Sequence, residues 1–150
     1  MNDFLGIFSN KLLYTALFGW FGAQALKVVI YSLIERRLSL KHFFGSGGMP
    51  SSHTSMCVAV CFGIGSTVGF DSALFAVCVA FTSIVMYDAA GVRRETGKQA
   101  VMLNQIMREF VFEGKPLSQE QLKEIVGHTP LEVLGGFVCG IVIGVLMYAL

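Results

Sequence analysis

The chain has 150 residues, 54% hydrophobic and 14% charged, with a net charge of +1 and a mean hydropathy of +0.66. A soluble domain needs roughly a quarter of its residues charged to cover its surface, so this composition excludes an ordinary water-soluble enzyme and describes a chain solvated by lipid. Its length allows at most about four or five spans of about 20 apolar residues, which excludes a large transporter with internal repeats. Near-neutral charge without a block of uncompensated Lys and Arg excludes a nucleic-acid partner.

The first apolar run, Leu12 to Ile34, is interrupted only by Gln24 and Lys27. Lys11, an apolar core and the triplet Ala23-Gln24-Ala25 resemble a signal peptide, but apolar character resumes at Val28-Val29-Ile30, so an uncleaved membrane helix is expected. Lys27 costs roughly 2.5 to 3.5 kcal/mol at mid-bilayer and therefore asks for a polar cavity and an anionic partner. A second run, Thr54 to Gly69, and a third, Ala73 to Tyr87, flank the tight turn Phe70-Asp71-Ser72. Both are short for a span of roughly 17 to 25 residues, and Asp71 at the tip favours two crossings over a re-entrant hairpin.

The polar stretch from Asp88 to Pro130 contains Leu103, Ile106, Met107, Phe110 and Val111 at helical spacing, which predicts an amphipathic interfacial helix over 95–112. Gly114-Lys115-Pro116 breaks it, and Ser118 to Gly127 carries the start and stop signals of a short helix. The last run, Val133 to Leu150, has Gly136, Gly140 and Gly144 on one face, suited to close packing within the chain or to a homo-oligomer. Cys57, Cys61, Cys78 and Cys139 lie in apolar runs without CxxC spacing and read as small hydrophobes. The expected fold is all-α: one domain over 1–150, an integral membrane bundle of about four apolar helices plus the interfacial one.

All Lys and Arg except Lys11 and Lys27 fall in two polar segments, 35–53 and 88–130, that emerge on the same side of the membrane. The positive-inside rule makes that side cytoplasmic and puts both termini on the other.

Two of the three histidines stand at the membrane edge of the basic side. His53 follows Gly45-Ser46-Gly47-Gly48-Met49-Pro50-Ser51-Ser52 and opens the second run. A glycine-rich loop leading into a helix N-terminus presents backbone N–H groups and the positive helix dipole to an anion, phosphate above all; Ser51 and Ser52 read equally as a simple helix cap. His128 precedes Thr129-Pro130-Leu131-Glu132, a capping box with Pro at the first helical position. A helix extended back through His128 would bring Glu132 to its ring instead, and capping and holding the histidine read as competing tasks for one carboxylate.

Two imidazoles, a phosphate-type loop and nearby cations make a phosphoryl-transfer set that works without a metal: one ring attacks phosphorus, the other protonates the leaving oxygen, and Lys27, Arg93 and Arg94 neutralise the equatorial oxygens. His42, between Lys41 and Phe43, is given no role. Neither metal-ligand spacing nor a nucleotide-binding loop is present, so no metal and no cofactor are expected.

Gly-Gly-Met-Pro-Ser-Ser-His (47–53), Tyr-Asp-Ala-Ala-Gly-Val-Arg-Arg (87–94) and Gly-His-Thr-Pro-Leu-Glu-Val (127–133), in that order, resemble the divergent type 2 phosphatidic acid phosphatase family, also described as acid phosphatase or vanadium-dependent haloperoxidase-related proteins. The resemblance implies a helical membrane phosphatase with a phosphohistidine intermediate, His53 as general acid, His128 as nucleophile and Glu132 orienting it. The broader superfamily has Arg ahead of the nucleophile where this chain has Leu122, its Lys and Arg-Pro motif is not reproduced around Lys27, and four spans replace its usual six helices. Phosphate binding therefore shifts to Arg93 and Arg94, helped by Lys27, Ser51 and Ser52.

The expected function is hydrolysis of a phospholipid or polyprenyl phosphate in the bilayer, at the cytoplasmic face. The non-catalytic alternative is a membrane scaffold or transfer protein that binds anionic lipid through the same loop and does not need both histidines. A reporter fused to the C-terminus should be shielded from cytoplasmic reagents; its labelling from the cytoplasm would invert the orientation.

Overall fold

The computed structural model describes residues 5–45, 47–110 and 128–149, and only the backbone course of 92–94 and 105–110. Five α-helices form: α1 (Lys11–Glu35), α2 (Ser52–Val68), α3 (Ala73–Ala90), α4 (Val92–Phe110) and α5 (Pro130–Tyr148). Each start that is described has a side-chain cap where the sequence supplies an oxygen. Asn10 accepts from the Leu12 and Leu13 N–H groups, Ser51 from Thr54, Ser72 from Phe75 and Thr129 from Glu132. α1 ends on Arg36 in the left-handed region, and α2 ends on Gly69 at φ +107°, where a Cβ would lie 2.6 Å from Asp71 Oδ1.

α2 is the hub, packed by α1, α3 and α5. Close approach is made by small residues on the two long partners. A Cβ on Gly19 of α1 would lie 2.9 Å from Met56 Cα, and one on Gly140 of α5 would lie 2.6 Å from the Ser55 carbonyl oxygen. Gly136 faces the Ser51 carbonyl and Gly144 faces Phe62 in the same way. Gly136, Gly140 and Gly144 are all buried, so this stripe serves packing within the chain. The Ser55 hydroxyl donates to the Gly19 carbonyl at 2.9 Å and fastens α2 to α1 at the crossing.

Among the described residues three segments are long and apolar enough to cross a membrane: Lys11–Glu35, Ala73–Asn104 and Pro130–Tyr148, with α2 a shorter apolar helix. At 17 residues α2 is about 25 Å long, less than the roughly 30 Å hydrocarbon core. Protein rather than lipid surrounds most of it, which removes the need to match that thickness. α3 instead turns Val77, Phe81, Ile84 and Tyr87 outward, as a lipid-facing helix does.

Both polar segments leave from the same end of the bundle, where α1 and α3 finish and α2 and α5 begin. There the Ser51 N–H donates to the Glu132 carbonyl at 3.0 Å and the His128 N–H to the Ala89 carbonyl at 2.9 Å. The opposite end has the turn at Gly69 to Ser72 and the Lys11 ammonium over the Tyr148 ring, 4.4 Å from its centroid.

α4 begins three residues earlier than the apolar periodicity predicts, separated from α3 only by Gly91. Gly97, Ala100 and Asn104 form its buried face while Val101, Met102 and Leu103 point outward. The side chains of Ile106, Met107 and Phe110, Val111 as a whole, and the short helix expected over 118–127 lie outside the described residues.

Replacing Gly140 by Val forces a branched side chain against the Ser55 carbonyl, and overpacking of this kind costs about 1–3 kcal/mol. Thermal unfolding in detergent should show that loss for Gly140→Val and almost none for outward-facing Leu146→Val; equal losses would contradict the packing.

Candidate active site

Ser51 sets the first histidine. Its hydroxyl, fully buried, accepts from the Thr54 N–H at 3.4 Å and from the Thr54 hydroxyl at 3.1 Å, which fixes the first turn of α2 and thus His53 as its second residue. Ser52 is buried as the first residue of that turn.

The second histidine is held by Glu132. The capping box forms: Glu132 N–H donates to the Thr129 hydroxyl at 3.3 Å, and the Thr129 N–H donates to Glu132 Oε2 at 2.9 Å. That same Oε2 lies 3.2 Å from His128 Nδ1. The two tasks that compete in the sequence are therefore done together. His128 is not helical, and with its backbone N–H pinned at Ala89 its ring reaches a carboxylate oxygen that has two lone pairs to give. Toward an ionised carboxylate, which only accepts, Nδ1 is the donating nitrogen, and in a neutral ring the lone pair then falls to Nε2. Only 3% of His128 is exposed.

His53 and His128 both line one cavity. Its wall comprises His53, Met56 and Cys57 from α2, Phe81, Val85 and Ala89 from α3, and His128, around about 220 Å³. That is the room of about seven liquid waters, enough for a phosphoryl group and the first atoms of whatever it esterifies. Two larger cavities, about 350 and 470 Å³, are lined by neither histidine nor any charged side chain, so size does not mark the chemical centre here. The apolar wall was not singled out by sequence, although Phe81, Val85 and Ala89 follow one another at single helical turns along α3.

Lys27, Ser51 and Ser52 do not line this cavity. The Lys27 ammonium is fully enclosed, donates to the Gly45 carbonyl at 3.3 Å and lies within Coulombic range of Glu132. Arg93 and Arg94 occupy the first turn of α4, just beyond Ala89 in the chain, and their side chains lie outside the described residues. His42 stacks on Tyr31 with centroids 4.1 Å apart and meets Glu35 Oε1 at 2.9 Å. Among the described residues no group of His, Cys, Asp and Glu is arranged to hold a metal ion.

The model of the Divergent PAP2 family matches residues 8–143. The chain is also 37% identical over 147 residues to the uncharacterized membrane protein YuiD of Bacillus subtilis (strain 168), covering 91% of this chain and 93% of that one. No solved structure matches.

Thr129→Ala removes the cap alone and should cost about 1 kcal/mol. Glu132→Ala removes the cap's return bond and takes the Glu132 oxygen from the buried His128 Nδ1, which adds about 1–3 kcal/mol. Thermal unfolding of the two variants should rank Glu132→Ala clearly lower; the reverse order would mean that the carboxylate does not hold the ring.

Proposed function

Because the chain belongs to the divergent PAP2 family, we propose that it is a membrane phosphomonoesterase that hydrolyses a phospholipid or polyprenyl phosphate through a phosphohistidine at His128. The observation that carries this reading is the pair of imidazoles on one small cavity at the end of the bundle where the polar segments emerge.

His128, with Nδ1–H held by Glu132, attacks phosphorus through the Nε2 lone pair. The N–P bond forms as the P–O ester bond breaks, and His53 gives its proton to the departing alkoxide oxygen. Water then attacks the phosphohistidine, His53 takes up the proton, the N–P bond breaks and inorganic phosphate leaves. The guanidinium groups of Arg93 and Arg94, at the start of α4, neutralise the phosphoryl oxygens as charge develops. The apolar wall of Met56, Phe81 and Val85 suits a hydrocarbon chain passing from the phosphate into the bilayer. On this reading the helices cross the membrane repeatedly and the reacting end faces the cytoplasm, as the distribution of Lys and Arg directs.

Purified protein should release phosphate from phosphatidic acid, phosphatidylglycerophosphate or a polyprenyl phosphate, and vanadate should inhibit it as a pentacoordinate mimic of the transition state. His128→Ala should abolish turnover. His53→Ala should lower kcat by about 10²–10⁴ on alkyl esters, and less on an aryl ester whose leaving group needs no proton. Retained lipid binding with no turnover by the wild type on any of these esters would instead favour the anionic-lipid scaffold.

A further inference from the structure

On α1 the polar side chains of Gln24, Lys27 and Tyr31, at spacings of three and four residues, meet one stretch of backbone between α1 and α2. The Gln24 amide donates to the Phe43 carbonyl at 2.6 Å, with the residue 3% exposed. The Lys27 ammonium donates to the Gly45 carbonyl from a site with no exposure at all. The Tyr31 hydroxyl lies against Gly48, where a Cβ would be 2.8 Å away and the backbone stands at φ +90°. Downstream, the same strap is fastened to α5 by the Ser51 N–H on the Glu132 carbonyl, and it feeds directly into the cap that sets His53.

We infer that Gln24 and Lys27 are positioning residues: a buried polar face of α1 clamps the glycine-rich strap and thereby fixes His53 against His128, and Lys27 acts through the Gly45 carbonyl rather than by touching the phosphate. The geometry argues against direct contact, since Lys27 is absent from the wall on which the two imidazoles meet. Chemistry argues for the clamp. A strap rich in glycine has few side chains with which to fix itself, and the carbonyls at 43 and 45, on half-buried residues, take their donors from α1. An enclosed ammonium on a membrane helix is costly, which makes sense where it supplies a strong charge-assisted bond and where the charge of Glu132 is near. The clamp also accounts for the polar break that Gln24 and Lys27 make in an otherwise apolar run.

This inference rests on the phosphatase reading only for its kinetic consequence; the clamp itself is testable without turnover. Hydrogen exchange followed by mass spectrometry on detergent-purified protein should show amides of 43–49 exchanging at least about tenfold faster in Lys27→Met and Gln24→Met than in the wild type, a change in opening equilibrium readily detected by this method. His53→Ala should leave that segment unchanged. In the phosphatase assay both α1 variants should lower kcat by about tenfold or more, while KM and the vanadate inhibition constant stay within about twofold. Should Lys27→Met fail to fold, Gln24→Met carries the same test with the lysine intact. Unchanged exchange in the folded variants would overturn the clamp. A vanadate constant raised tenfold in Lys27→Met with exchange unaltered would make Lys27 a phosphate contact instead. A wild type inactive on every ester would sink the phosphatase reading and leave the exchange result to judge the clamp alone.

Discussion

One carboxylate couples the two histidine-bearing segments. Glu132 takes the Thr129 N–H and the His128 ring on a single oxygen, and its backbone carbonyl takes the Ser51 N–H from the segment that leads to His53. One turn further along α5, Gly136 rests on the Ser51 carbonyl, so that the junction has no room to slide. Two rings distant in the chain meet on one cavity because residue 132 and its neighbours hold both approaches. Loss of this side chain would be felt by the helix start and by the ring of His128 together, while the backbone bond to Ser51 would remain.

The rest of the bundle follows from burying a short helix. α2 is almost wholly enclosed, and the partners that enclose it come close by presenting Gly19 on α1 and Gly136, Gly140 and Gly144 on α5. Between helices in lipid there is little hydrophobic gain to be had, so van der Waals contact between backbones and bonds such as Ser55 to Gly19 supply the attraction. α2 begins inside the protein, with His53 in its first turn, and only its last turn, Ser66 to Val68, is exposed.

What the sequence made legible was local. The caps at Ser51 and Thr129, the turn Phe70-Asp71-Ser72, and the glycine face of α5 each declare themselves within a few residues of one another or at a fixed spacing, and the structure contains them. What it left open was set by contacts between distant segments. The choice for the glycines between an inner and an outer partner needed the position of α2. The double duty of Glu132 escaped because the helical turn through His128 seemed the only route to its ring, whereas the bond from His128 to Ala89 supplies another. Lys27 announced a polar surrounding but not its identity, since the Gly45 carbonyl that receives it is 18 residues away. The family resemblance, by contrast, rested on three short motifs and agrees with the match over 8–143.

Covalent chemistry at His128 is the claim from which the proposed roles of His53, Glu132 and the arginines all descend. Rapid quenching of the wild-type protein at alkaline pH during turnover of a lipid phosphate, followed by peptide mapping, tests it most directly. The account predicts an acid-labile phosphoryl group on the peptide containing His128, absent from His128→Ala. Its appearance on His53, or on no residue while phosphate is being released, would contradict the account.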